Sequence, residues 1–190
     1  MKVIYYNPKQ LVTNCILLLF ISIFLSSCGS LKPISGKNNL QSLTPDDIHK
    51  FDGDYEIISI DSAYRTLENG LTDKNYFNHE HDIGVNDKIN LQAIDNRHIK
   101  VSVISNDTII TTKILKGHLS QNYFNFSLLH FSPIYIIING IRRQKNRIGI
   151  LQSGELTLDT KFGGFLLLLI LPTFGDGAEF YDLKFRRLQK

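Results

Sequence analysis

Tryptophan is absent from this 190-residue chain, methionine occurs once and cysteine twice. Both cysteines, Cys15 and Cys28, lie near the N-terminus. From Gly29 to Lys190 there is no thiol, which excludes a disulfide scaffold, a cysteine-ligated zinc and a cysteine nucleophile in that stretch. An excess of one charge sign is missing too: 21 Lys and Arg face 18 Asp and Glu. Two of the bases, Lys2 and Lys9, and none of the acids precede Cys28, which leaves 19 bases against 18 acids and a net charge of +1 beyond it. A near-neutral body gives no electrostatic reason to expect nucleic acid as a partner. The chain has no Gly-x-Ser-x-Gly, no His-Glu-x-x-His, no Walker loop and no dinucleotide fingerprint. Its acids are scattered rather than paired, so neither enzymatic activity nor a cofactor is expected.

What is present begins at the N-terminus. Lys2 and Lys9 precede Leu11–Leu25, a 15-residue uncharged run dominated by Leu, Ile and Phe. A helical span needs roughly 20 apolar residues, so this run is short for one and suits the core of a secretion signal. Leu25-Ser26-Ser27-Cys28 closes it, and this resembles the lipobox of bacterial lipoproteins, in particular those of the Bacteroidota type. The resemblance implies cleavage before Cys28 and a diacylglycerol on its sulfur. Residues 1–27 are then the signal peptide, Cys15 is discarded, and Cys28 is the lipidation site that attaches the chain to a membrane. Gly29 is not the Asp associated with inner-membrane retention, and no acidic run follows. Both points imply a cell-envelope location, anchored to the outer membrane and facing the periplasm. Residues 28–43 are rich in Gly, Ser and Asn, lack periodicity and read as a flexible tether.

Residues 44–190 read as one domain. Thr44-Pro45-Asp46-Asp47 is a helix start, predicting one or two turns to Phe51. Strand patterns follow. Tyr55–Ile60 comes first, then Ile89, Leu91 and Ala93 alternate with polar residues, as do Ile99, Val101 and Val103. Asp95-Asn96 and Ser105-Asn106-Asp107 mark turns. Thr108–Leu115 is a further strand, and Phe124, Phe126, Leu128 and His130 share one face of the next. Ile134–Ile141, a hairpin turning at Ser153-Gly154, Phe165–Leu171 and Ala178–Leu188 complete the pattern. The expected fold is all-β: an antiparallel meander of about ten strands closed as a barrel, or a β-sandwich in the alternative. The long connection from Asp61 to Lys88 stands apart, with a short helix expected over Ser62–Asn69 and a stop at Gly70.

Gly53-Asp54-Tyr55 follows the N-terminal turn of helix, and Arg187 lies in the last strand. Together with the meander and the long first loop, they resemble the calycins, the lipocalin and fatty-acid-binding barrels. The resemblance implies that Tyr55 and Arg187 form a structural stacking pair, Arg187 lying on the apolar face with Tyr181, Leu183 and Phe185. Tyr55 stands where the family has tryptophan.

Three further segments invite a site. His79-Glu80-His81-Asp82 is a cluster in which His79 and His81 would share a strand face. No third histidine at motif spacing accompanies it, so no metal site is expected. Arg142-Arg143-Gln144-Lys145-Asn146-Arg147 reads as a basic turn at a solvated hairpin tip, with lipid phosphates as the alternative partner. Gly163–Pro172 is the most apolar stretch of the body and too short for a helical span. A strand there is buried on both faces, or has one face on a lumen or a partner. Phe124, Phe126, Leu128, Phe165, Leu167 and Leu169 are the residues expected to line an interior holding a hydrophobic small molecule or lipid. The alternative is a structural lipoprotein docking on an envelope protein complex.

Overall fold

In the computed structural model the described residues are 31, 39–72, 87–135, 138–168 and 171–188; over 62–65, 69, 130–142 and 164–177 the description is of the backbone. Cys28, His79, His81 and Leu169 lie outside them. The chain divides into units Met1–Lys32 and Pro33–Lys190, and the second holds every element that follows. A 3₁₀ turn, Pro45–Phe51, begins it. The Asp47 carboxylate accepts hydrogen bonds from the Thr44 N–H at 2.8 Å and the Thr44 hydroxyl at 2.7 Å, the turn's capping contacts. Ile48 and Phe51 are its buried residues.

The strands are β1 (Gly53–Glu56), β2 (Ile58–Ser59), β3 (Ser62–Thr66), β4 (Lys88–Asp95), β5 (His98–Ser105), β6 (Thr108–Ser120), β7 (Tyr123–Tyr135), β8 (Ile138–Ile150), β9 (Leu156–Leu168), β10 (Leu171–Phe185) and β11 (Arg187–Leu188). One α-helix, α1, spans Leu67–Leu71. Nine strands form a single antiparallel sheet in the order β10-β9-β8-β7-β6-β5-β4-β1-β11, and β2 pairs with β3 separately. The described residues are therefore predominantly β, with one short α-helix among them. Asn106-Asp107 and Gln121-Asn122 turn their hairpins with positive φ at both residues, the backbone hand that suits a two-residue connection between twisted strands.

Alternation decides the core. Ile89, Leu91 and Ala93 on β4, Ile99, Val101 and Val103 on β5, and Phe124, Phe126 and Leu128 on β7 are all buried in one cluster with Phe51, Tyr55 and Phe185. Polar neighbours on the same strands point the other way, as a period of two requires.

Three expectations change. The short helix expected over Ser62–Asn69 is displaced: Ser62–Thr66 is strand, and the helix is Leu67–Leu71, with Gly70 inside it. Leu67 and Leu71 are fully buried, and a Cβ on Gly70 would overlap the Leu158 side chain. Burial thus outweighs the propensity that makes glycine a stop. The basic run Arg142–Arg147 is no turn but the interior of β8, because Gln144, Asn146, Ile148 and Ile150 alternate inward and are buried. Finally, the tether expected over 28–43 is docked in its last residues. Leu40 bridges Leu151, Gln41 N–H donates to Ile150 O at 2.8 Å and Gln152 N–H to Asn39 O at 2.7 Å.

Candidate functional site

Among the described residues, side chains pack closely on the inner face. Phe51 from the 3₁₀ turn lies with its ring centroid 6.4 Å from that of Phe124, and Phe124 lies 6.0 Å from Phe126. These are the tilted arrangements that aromatic quadrupoles favour. Of the residues expected to line a cavity, Phe124, Phe126 and Leu128 are thus core members. Phe165 and Leu167 go elsewhere. Gln144 opposes Leu128 on one side and Phe162 on the other, and Asn146 likewise opposes Phe126 and Thr160. Even-numbered β9 residues therefore share the inner face, and odd-numbered Phe165 and Leu167 fall on the opposite face from Phe126 and Leu128.

A polar island sits within this apolar interior. Asn146 Oδ1 accepts from Thr160 Oγ1 at 2.7 Å and from Gln144 Nε2 at 3.1 Å. Gln144 Nε2 also points at the Gly70 carbonyl of α1, 3.5 Å away. The island ties α1 to the middle of β8 and β9. Asn146 Nδ2 is buried with no hydrogen-bond partner among the described residues, an arrangement that costs stability unless something compensates.

At the far end of the sheet, Arg187 and Tyr55 are register partners on β11 and β1. The Arg187 guanidinium carbon is 5.8 Å from the Tyr55 ring centroid, within the range of a cation–π contact. Arg187 also donates to the carbonyls of Asp52 and Lys50. Its side chain is exposed, although as the register partner of buried Tyr55 it shares that ring's face. Tyr55 is fully buried, its hydroxyl donates to Phe51 O at 3.0 Å, and burial pushes its pKa up to about 12.

A groove of 1310 Å³ lies beside this pair, lined by Asp52, Asp54, Glu56, Glu155, Arg186 and Arg187 among others. Its charges are mutually engaged. Lys88 Nζ is 3.1 Å from Asp54, Arg186 NH1 is 3.2 Å from Glu56, and Asp52 Oδ1 accepts from Ala93 N–H at 2.5 Å. No protein-family model matches the chain, and no curated protein or solved structure matches it either. Among the described residues no group of three His, Cys, Asp or Glu side chains could hold a metal ion, and no helix is long and apolar enough to cross a membrane.

The residues that sequence reasoning missed are Gln144, Asn146, Arg147, Asp159 and Thr160, all buried. The signal was there in the Gln-x-Asn-x-Ile-x-Ile alternation of 144–150, masked by the basic residues between.

Proposed function

We propose that the chain is a lipid-anchored envelope lipoprotein, held by an acylated Cys28 at the outer membrane and facing the periplasm. Its body is a lipocalin-like barrel that acts without catalysis, as an accessory module docking on an envelope protein complex. Barrel closure is supported by the last strand. Only Arg186 separates β10 from β11, and these two are the opposite ends of the strand order, paired with β9 and β1. Glu56 N–H donates to Arg186 O at 2.9 Å and Ile60 N–H to Lys184 O at 2.8 Å, bonds of the kind that would continue the ring. One observation favours docking over carriage of a hydrophobic ligand: the inner face is occupied by Phe51, Phe124, Leu67 and Leu71. The groove at Asp52, Asp54, Arg186 and Arg187 offers alternating charge to a protein surface, which supports specificity and orientation more than raw affinity.

Two measurements test this. Cys28→Ala should release the protein from the membrane fraction and remove the acyl mass from its N-terminal peptide; unchanged fractionation and mobility refute the anchor. Cross-linking of the native membrane followed by purification should recover an envelope protein that is lost in Arg186→Glu/Arg187→Glu. Recovery of a stoichiometric lipid from the purified body, with no protein partner, would favour the carrier reading instead.

A further inference from the structure

Strands β7, β8, β9 and β10 run well past the rest of the sheet's pairing. β6 pairs with β5 from Thr108 to Lys116, but with β7 only from Ser120–Tyr123 to Gly117–Phe126. Among the described residues, β7 beyond Phe126 pairs only with β8, and β10 closes the strand order at the other side. The strand ends Phe131–Tyr135, Ile138–Ile141, Phe165–Leu168 and Leu171–Phe174 therefore form a four-stranded extension with two outer strands.

Its composition is ordered by register. No charge occurs between His130 and Arg142, nor between Lys161 and Asp176. The first uncharged row is Phe131–Ile141–Phe165–Phe174, the third is Pro133–Asn139–Leu167–Pro172, and the last is Tyr135–Ile138–Leu168–Leu171. On the body side of the first row, the same face carries Leu129, Arg143, Gly163 and Asp176, and after them Lys145 and Lys161. Leu129 is 69% exposed. One sheet face thus passes from a charged belt of Arg143, Lys145, Lys161, Asp176 and Glu179, in which Lys161 is ion-paired with Glu179, to an aromatic and aliphatic end.

We infer that this extension is a membrane-contact surface, dipping into the headgroup side of a lipid bilayer with Arg143 and Lys145 at the depth of the phosphates. Three observations select a bilayer. The five residues from Phe131 to Tyr135 reach about 17 Å at 3.3 Å each, close to the roughly 15 Å depth of one hydrocarbon leaflet. A charged belt of three bases and two acids beside an uncharged apolar end matches the layering of zwitterionic headgroups over acyl chains. Both outer strands carry a proline, Pro133 and Pro172, in the same row. Proline has no N–H to offer a further strand, which opposes edge pairing with a second copy or an extended peptide. It also removes a donor that hydrocarbon would leave unsatisfied. The contact needs no acyl chain, so it stands apart from the reading of Cys28.

The chain's lack of tryptophan supplies the test. Phe165→Trp and, on the outer strand, Phe131→Trp each place a sole indole in the aromatic row of the full chain. Ile94→Trp places one at the opposite end of the sheet, where Ile94 is 51% exposed. Each protein is mixed with phosphatidylethanolamine–phosphatidylglycerol vesicles, with and without doxyl-labelled lipid. Emission from positions 165 and 131 should shift to shorter wavelength and be quenched by the doxyl lipid, while emission from 94 stays unchanged. Arg143→Glu/Lys145→Glu should lessen the quenching on these vesicles. Failure of emission at 165 and 131 to respond, although the chain floats with the vesicles, overturns the inference and leaves the anchor intact. Emission already shifted before vesicles are added, with sedimentation as a dimer, overturns it in favour of a second copy. Repeating the series with Cys28→Ala separates the two membrane attachments: loss of acyl mass with quenching retained refers to Cys28 alone and supports the second contact.

Discussion

Arg147 donates its Nε–H to Asp159 Oδ2 at 2.7 Å across β8 and β9, with the two side chains 7% and 0% exposed. The second Asp159 oxygen accepts the Asp182 N–H at 2.8 Å, and the Arg147 guanidinium lies 4.8 Å from the Tyr123 ring centroid. One carboxylate therefore pins three strands on the face opposite the apolar core. Asp159→Asn keeps the shape but leaves a buried guanidinium without its counter-charge. Removing one partner of such a pair costs about 3–5 kcal/mol. Urea unfolding should show that loss, with Arg147→Met in the same chain recovering much of it.

Gly53 lies under Arg187. A Cβ at Gly53 would sit 2.8 Å from Arg187 Nε, and its φ is +153°. Gly53→Ala should destabilise by about 1–3 kcal/mol through overpacking and backbone strain. Combining it with Arg187→Ala should reduce but not abolish the penalty, because the overlap goes while the backbone strain stays. Thermal unfolding of the four proteins of that cycle measures both parts.

Phe124 meets Phe51, Phe126 and the glycine at which β6 and β7 part. A Cβ on Gly117 would overlap the Asn125 carbonyl and press on the Phe124 ring. Phe124→Ala should cost about 3–5 kcal/mol, measurable by chemical denaturation. Gly117→Ala should also destabilise, and no trimming of Phe124 should rescue it fully, because the Asn125 carbonyl is backbone.

Acid and alkali act at different ends of the core. The Thr44 N–H, then the Thr44 hydroxyl and Lys50, hold Asp47 down from 3.8 to about 2. Its lowered pKa contributes stability that is complete above 3.8 and is lost as the pH falls through about 2. Asp95 is lowered in the same sense, chiefly by the Arg97 N–H and next by His98. Tyr55 is the reverse case, raised from 10.0 to about 12 by burial, so its contribution is whole below pH 10 and fades as the pH rises through about 12. Carboxyl NMR titration of wild type and Thr44→Ala should show Asp47 moving back toward 3.8. Phenolate absorbance should show less late-ionising tyrosine in Tyr55→Phe than in wild type.

Much of the sheet was legible in the chain because burial on one face writes itself as alternation. Ile89, Leu91 and Ala93, and the pair of hairpins around Asp95-Asn96 and Asn106-Asp107, follow that rule directly. Arg142–Arg147 broke it because four bases hid an inward Gln144 and Asn146, and local charge resembles a turn. Gly70 misled for a related reason. Its helix propensity is poor, yet the contact with Leu158 that requires a missing side chain is invisible along the chain.

The sequence by itself determined an antiparallel β body, an N-terminal capped turn and the absence of thiol chemistry beyond Cys28, since periodicity and composition are properties of the chain alone. Only the tertiary structure decided which face each residue serves. Cross-strand register, set by hydrogen bonds between residues far apart in sequence, put Phe165 and Leu167 opposite Phe126 and Leu128. It also buried Arg147 against Asp159 and aligned Pro133 with Pro172 at the two outer strands. A shift of one residue in that register would exchange the two faces, which is why pairing, and not pattern, gives Phe165 and Leu167 their face.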